Sequence, residues 1–397
     1  MNSRKQYFLG AIILASTLPI AACGSSTSSP EPSESPQPTD IATTASPSPT
    51  PDPIEITIAA SGDILPHQAV VESAMRNAEG SDKAYDFTPM FSQITGLLNE
   101  VDLALCHVET PISPDNTNLG VPGTLVFNSP REVADAIAAS GYDGCDFASN
   151  HTWDRGLDGL AATEEVLRDA GVGYAGPSAH EDRVNEPELY TVGDATVAHL
   201  AYTYTFPNTW GPDTTVPAEA PWVENWLWPA IGAEGILEQA HKAKEEGADF
   251  VVVSMHWGEE YNVQPTEDQT SIAHTLLESD DVDLILGAHV HVVQPCEMIN
   301  GKHVIYGMGN SLSNQSPQTH ASLIPETQDG MVALFTLKKD PDGTVSTDMA
   351  YQPTHVDLDG HIITRVSPDS NPASYERTVN AVNYLGGCDA EVYTDEQ

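Results

Sequence analysis

The feature that most constrains this chain is a recurrence. Apolar runs at residues 54–60, 102–108, 144–148, 250–255, 284–287 and 303–307 each lead straight into a cluster of metal-capable side chains. The first run is followed by Ser61-Gly62-Asp63-Ile64-Leu65-Pro66-His67, and the second leads into His107-Val108-Glu109-Thr110-Pro111. The third delivers Ser149-Asn150-His151-Thr152-Trp153-Asp154, and the fourth His256-Trp257-Gly258-Glu259-Glu260-Tyr261. Gly287-Ala288-His289-Val290-His291 and Gly307-Met308-Gly309-Asn310 follow the last two. Short apolar runs bounded by such turns read as buried strands. Stretches at 131–139, 159–170, 231–246 and 267–277 carry apolar residues at helical spacing. Strand alternating with helix predicts an α/β fold with a largely parallel sheet covered by helices. In such a sheet the strand C-termini share one edge, where ligands bind, so the clusters are expected to converge.

His289 and His291 are the most informative pair. Residues two apart in extended chain point to the same side, which predicts that both serve one cluster. Imidazole, carboxylate and amide oxygen together suit Zn, Mn, Fe or Co, and the lack of paired thiolates speaks against a structural Cys-zinc site. The chain carries 58 Asp and Glu against 15 Lys and Arg, a formal charge of −43. That field repels nucleic acid and anionic membrane surfaces. A phosphate or carboxylate substrate would need a local cation, which two divalent ions beside Asp63 and Glu109 would supply. Paired ions ~3.5–4 Å apart can activate a water and clamp a displacement.

Residues 1–23 read as a processing segment, with Arg4 and Lys5 before an apolar stretch at 8–18. Ile20-Ala21-Ala22-Cys23 fits a bacterial lipobox, with Cys23 accepting the lipid; the alternative is an ordinary signal peptide with an incidental Cys. Residues 24–53 are rich in Ser, Pro and Thr and are expected to tether the protein to the extracytoplasmic face of the membrane. No later stretch is long and apolar enough to span a bilayer. A domain over 54–352 and a C-terminal extension over 353–397 complete the expected organisation. Segments at 331–337 and 345–351 flank Asp-Pro-Asp-Gly and read as a hairpin, with a short helix at 373–385. Cys106, Cys145, Cys296 and Cys388 allow three pairings, and buried free thiols are an equal alternative. Residues 202–229 carry Trp210, Trp222, Trp226 and Trp228 in a long loop, suited to packing on the core or to stacking on sugar rings.

The ordered set Ser61-Gly62-Asp63, Val108-Glu109-Thr110-Pro111, Ser149-Asn150-His151 through Gly156, His256-Trp257-Gly258 with Glu260-Tyr261, Gly287-Ala288-His289-Val290-His291-Val292-Val293-Gln294 and Gly309-Asn310 resembles the CapA family. These are poly-gamma-glutamate capsule synthesis proteins related to calcineurin-like metallophosphatases. The resemblance covers roughly 54–315 and implies a four-layer α-β-β-α sandwich, with two mixed sheets back to back. It also implies roles. Asp63 and His291 would bind a first metal, Glu109 would bridge, and Asn150, His256 and His289 would bind a second. His151 would be the unligated acid that protonates a leaving group, oriented by Asp154. His67, Glu260 and Asn310 are further candidates for metal or substrate. The sequence departs from the metallophosphatase pattern in two places. Ile64 follows Asp63 where an Asp-x-His motif is usual, with His67 four residues on, and Glu109 replaces an Asp. Two functions fit the resemblance. One is a metal-dependent hydrolase or transferase acting on a phosphoester, or on an acyl-phosphate or amide linkage of a surface polymer. The other is a non-enzymatic factor that binds or exports an anionic polymer within a capsule synthesis complex.

Overall fold

Residues 52–120 and 123–394 are described by a computed structural model. The leader with Cys23, and nearly all of the 24–53 tether, lie outside the described residues.

The chain first builds one sheet, then a second, then returns to the first. Strands β1 (Ile54–Ile64), β2 (Leu103–Val108), β3 (Gly144–Asp146) and β4 (Gly173–Ala175) run parallel side by side. The second sheet follows with β5 (Glu188–Val192), β6 (Ala195–Tyr202), β7 (Phe250–His256), β8 (Leu284–Ala288), β9 (Cys296–Ile299) and β10 (Lys302–Ile305). Its order is β5-β6-β7-β8-β10-β9, with β6, β7, β8 and β10 parallel. The chain then rejoins the first sheet through β11 (Asn310–Leu312), β12 (Asp329–Lys339), β13 (Val345–Asp357), β14 (Ile362–Arg365) and β15 (Glu391–Val392). The hairpin read from the sequence is β12 and β13, paired antiparallel from Asp329↔His355 to Lys339↔Val345. Strand β13 crosses the expected boundary at 352/353, and β14 and β15 pair with it, so the described part of the C-terminal segment belongs to the same sheet.

Two sheets stand where periodicity alone predicted one. The reason lies in which atoms each face covers. Along β1, Ile56, Ile58 and Ala60 join Leu103 and Leu105 of β2 in a core shared with Phe250 and Val252 of β7 and Leu284 and Leu286 of β8. The alternate residues Ala59, Ala104 and Cys106 face outward beneath helices, as do Val251, Val253 and Ile285 on the other sheet. Both faces of each central strand are therefore buried, and the runs are continuously apolar without showing which sheet a strand joins. The result is a four-layer α/β sandwich.

The outer layers are α1 (Gln68–Asn77), α2 (Thr95–Asn99), α3 (Glu132–Ser140) and α4 (Gly156–Asp169) over the first sheet, with α5 (Trp228–Glu245) and α6 (Glu267–Glu278) over the second. Helix α6 starts at a capping box in which Thr266 accepts from the Gln269 amide and Gln269 reaches back. Helix α3 stops at Gly141, whose φ of 103° suits a residue without Cβ. Helix α7 (Pro372–Val382) follows β14 and packs on β12 and β13. Among the described residues no helix is long and apolar enough to cross a membrane.

The four cysteines outside the leader form two disulfides, so the free-thiol alternative is set aside. Cys106 and Cys145 sit opposite one another in the β2/β3 register, with Cα atoms 4.4 Å apart. Cys296 on β9 joins Cys388 across 5.5 Å, closing a loop with a sequence separation of 92. A closure of that length restricts the unfolded chain enough to stabilise the fold by about 4 kcal/mol. Replacing Cys296 and Cys388 together by Ser is expected to lower the urea unfolding free energy by about that amount. A loss below about 1 kcal/mol would show that the cross-link contributes little.

Candidate metal centre

The C-terminal ends of strands from both sheets meet at one place. Asp63 lies near the end of β1, opposite His107 of β2 and Asn310 of β11. This meeting requires close backbone approach: a Cβ on Gly62 would collide with the Gly309 carbonyl oxygen, and one on Gly287 with that of Tyr306.

Asp63, Glu109 and His291 offer ligand atoms that all lie within 4.8 Å of one another, and all three side chains are buried. His291 Nδ1 donates to Asp63 Oδ2 at 2.9 Å and lies 3.2 Å from Asn310 Oδ1. Its Nε2 is 3.5 Å from Glu109 Oε1, an ion-pair separation without a hydrogen bond. The second Asp63 oxygen accepts from the His289 backbone N–H at 3.2 Å. Beside this trio, His256 Nε2 donates to Asn150 Oδ1 at 2.9 Å. The His289 ring spans the two groups, with its centroid 4.6 Å from that of His256 and 6.1 Å from that of His291.

His289 and His291 do not reach the site as alternate residues of a strand. Strand β8 ends at Ala288, and the two histidines take φ of 91° and 57° in a turn. Left-handed backbone at two non-glycine residues is strained, and such strain collects at functional sites. Tyr261, also left-handed at φ 66°, holds the turn by donating its N–H to the Val290 carbonyl at 2.8 Å. The pair converges as expected, through turn geometry rather than strand alternation.

The electrostatics are those of a cation cradle. Burial pushes the Glu109 carboxyl up to about 7, with His291 opposing and Asp63 adding to the rise. Both Glu109 oxygens are buried with no hydrogen-bond partner, as are Nδ1 of His256 and Nδ1 of His289. Burial and their histidine neighbours hold His256 and His289 well below the usual imidazole range, so each keeps a lone pair at neutral pH. Burial alone would lower His291 too, but Glu109 and Asp63 outweigh it and raise it to about 10. A proton on His291 offsets one of the two facing carboxylate charges. A buried carboxylate lacking any donor is costly unless a positive charge faces it. The donor set of carboxylates, imidazoles and an amide oxygen fits divalent metal ions.

His151 stands next to this group. Its Nδ1 lies 2.9 Å from Asp154 Oδ2, its backbone N–H donates to Ser149 Oγ at 2.9 Å, and its ring meets the edge of Phe127 at 4.7 Å. Ser149 in turn donates to the Glu109 carbonyl at 2.6 Å, linking the two loops. Asp154 also accepts the Phe127 N–H at 2.6 Å, which fixes it against the ring. Asn310 donates to the Thr327 carbonyl at 2.8 Å and to Gln315 at 3.0 Å, so its oxygen is aimed at His291. His67 lies outside the trio; its Nδ1 either donates to the Leu65 carbonyl at 3.1 Å or accepts the Asn314 N–H at 3.3 Å, according to tautomer. Burial and nearby His291 lower it to about 3. Glu260 is half-buried and lines a groove beside Tyr261.

Three supports escaped the sequence reading. His107, noted only as part of its cluster, bonds Asp146 at 2.7 Å and stacks on His256 at 4.9 Å, forming a floor under the centre. Burial would lower His107, but Asp146 outweighs it and raises it to about 9. Tyr204 covers His289 at 4.5 Å and Asn208 accepts from Asn150 at 2.9 Å. Both come from the aromatic loop at 202–229, whose unusual length was the available signal. The same loop is mostly packed down. Trp226 and Trp228 are buried, Trp222 donates to the Ser178 carbonyl at 3.1 Å, and Trp228 donates to the His256 carbonyl at 3.2 Å. Trp210 alone of the four is almost wholly exposed.

Residues 57–315 match the family described as bacterial capsule synthesis protein PGA_cap. Among curated relatives, the capsule biosynthesis protein CapA of Bacillus anthracis is 26% identical over 66% of this chain and 60% of its own length. The PGA biosynthesis protein CapA of Bacillus subtilis is 23% identical over 64% of this chain and 62% of its own. The matched region thus spans about three fifths of these relatives. Among solved structures, a phosphatase from Mycoplasma pneumoniae aligns with a TM-score of 0.44 at 14% identity, covering 76% of this chain and 95% of that one. The calcineurin-like phosphoesterase YfkN from Bacillus subtilis aligns with a TM-score of 0.42 at 15% identity, covering 83% of this chain and 99% of that one.

Proposed function

Because this chain belongs to the PGA_cap family of bacterial capsule synthesis proteins, we propose that it serves capsule or poly-gamma-glutamate polymer synthesis as a metal-dependent hydrolase or transferase. The relatives named for capsule and PGA biosynthesis support the pathway. The observation that carries the chemistry is Glu109, a buried carboxylate with neither oxygen hydrogen-bonded, set among Asp63, His291 and the unpartnered nitrogens of His256 and His289.

In this reading Asp63 and His291 would hold one cation and Asn150, His256 and His289 another, with Glu109 available to both. Divalent ions bound there supply electrophilic activation of the ester and of the attacking water. The chain's own residues do the rest. The attacking water or hydroxyl oxygen bonds to phosphorus or to an acyl carbon and releases its proton to solvent, the bond to the leaving atom breaks, and His151 gives that atom a proton that it regains from solvent. Asp154 holds the His151 ring by Nδ1, leaving Nε2 for the transfer. Asn310 keeps His291 in orientation, and Glu260 in the groove lining meets the substrate.

The protein is proposed to be lipid-anchored through Cys23 at the extracytoplasmic face of the membrane. Two disulfides in a chain with a lipobox support an oxidising compartment.

A second reading, capture or export of an anionic polymer without turnover, is favoured by His67. That residue is absent from the group of ligand atoms within 4.8 Å of one another that Asp63, Glu109 and His291 form, which leaves the trio one imidazole short of the metallophosphatase pattern. One experiment separates the two. The protein purified after loading with Mn, Fe or Zn is assayed for bound metal and for hydrolysis of phosphomonoesters, phosphodiesters, acyl phosphates and γ-glutamyl amides. Bound metal with turnover of one class supports the enzyme. Bound metal with none supports capture, and failure to retain any metal ends both.

A further inference from the structure

A groove of about 1030 Å³ runs outward from the metal centre. None of Asp63, Glu109 and His291 lines it, but two of its lining residues touch the site. Phe127 lines it and touches both His151 at 4.7 Å and His67 at 5.6 Å, while Tyr261 lines it and lies 5.9 Å from His291. The groove therefore borders the centre through side chains that touch both.

The lining is unlike a polyanion track. Among the described residues it includes neither Lys nor Arg, and its carboxylates are Glu72 and Glu260. Its histidines are His67, held neutral at physiological pH, and His320. A chain of carboxylates laid here would meet like charge beyond the centre, in a protein whose net charge is −43. Large apolar side chains stand in water along the outer groove instead: Trp210 at 97% exposure, Leu125 at 69%, Met75 at 51% and Val126 at 44%. These account for half of the large hydrophobic residues left exposed in the described structure, gathered at one groove. Such a cluster marks a binding surface, and its continuity with Phe127 and Tyr261 makes the occupant a substrate.

We propose that the groove seats an apolar, uncharged flank of a substrate whose anionic group docks at the metal centre. The substrate class is then a phosphate or acyl phosphate carried on a hydrocarbon chain. The polymer would meet the site at one such linkage and would not lie along the groove. This inference rests on the metal-centre reading above, and the test separates the two.

The full chain is titrated calorimetrically with n-alkyl monophosphates from ethyl to octyl, below their micelle concentrations, with and without Mn2+. A second series uses γ-glutamate oligomers of two to eight residues. Each fully buried methylene strengthens binding by about fourfold, so a half-open groove is expected to give at least about a 10-fold gain from ethyl to octyl. The γ-glutamate series is expected to gain nothing with length. Leu125→Asp, and independently Trp210→Ala, should shrink the octyl-to-ethyl ratio. A gain with chain length but no Mn2+ effect would keep the groove and overturn the metal centre. A Mn2+ effect with no gain, or a γ-glutamate series that tightens more than 10-fold with length, would overturn the groove. Absence of all binding would overturn both.

Discussion

The Glu109→Gln protein is expected to bind divalent metal at least about 100-fold more weakly than wild type, while its metal-free form at pH 8 melts no lower. Outer-shell partners of metal ligands are worth about 10–100-fold in affinity, and a carboxylate central to the cluster should exceed them. The stability half follows from burial. In the metal-free fold Glu109 has two oxygens with no donor, and its carboxyl is pushed up to about 7 because ionisation is disfavoured there. The amide removes that ionisation penalty along with the ligand. The pH dependence has a definite sign. Glu109 is raised from 4.5 to about 7, so its protonation stabilises the metal-free fold fully below pH 4.5 and that help fades as pH climbs through 7. His291 is raised from 6.5 to about 10 by Glu109 and Asp63 against its burial, so its contribution is complete below 6.5 and fades towards 10. Metal must displace these protons, so affinity should rise with pH across the same window, with proton release on binding. Calorimetry in buffers of different ionisation enthalpy reads that release. Metal binding by Glu109→Gln at wild-type strength would remove the bridging role.

The second large effect concerns the proton. His151→Ala is expected to retain wild-type metal content and lose turnover by about 100- to 10,000-fold on whichever ester class proves to be a substrate. The residue is not hydrogen-bonded to any member of the Asp63, Glu109 and His291 trio, and its ties run instead to Asp154 and Ser149. Asp154→Asn should fall between the two proteins, because the amide oxygen can still accept the Phe127 N–H while the carboxylate that holds the His151 ring at 2.9 Å is lost. Metal analysis beside single-turnover kinetics checks both. Loss of metal in His151→Ala would make it a ligand, and unimpaired turnover would release it from the chemistry.

Much of the fold is legible in the chain because burial writes itself into local pattern. The runs at β1, β2, β3, β7, β8 and β10 are apolar because both faces of those strands are covered. Helices α3, α4, α5 and α6 carry helical spacing because one face of each meets a sheet, and the β12/β13 hairpin is announced by its turn residues. Helix α1 and strands β4, β5 and β6 carry weaker signals. β6 is interrupted by His199, whose ring contacts Ser254 on the neighbouring strand at 2.8 Å, a pairing invisible along the chain.

The site divides the same way. Asp63, Glu109, Asn150, His151, His256, His289, His291 and Asn310 are readable because a polar cluster directly after a buried strand has few packing reasons to exist. The sequence by itself therefore determined the central strands, the 331–351 hairpin, most of the flanking helices and the residue types offered for chemistry, since these follow from side-chain burial counted over a few neighbouring positions. Two back-to-back sheets were implied by the resemblance, but only the tertiary structure decided which strand joins which sheet and that Cys106 pairs with Cys145 and Cys296 with Cys388. It also decided that a strained turn aims His289 and His291, that His67 faces Leu65 and Asn314, and that an apolar groove opens from the centre. Those outcomes depend on contacts between residues far apart in the chain, whose energies no local pattern encodes.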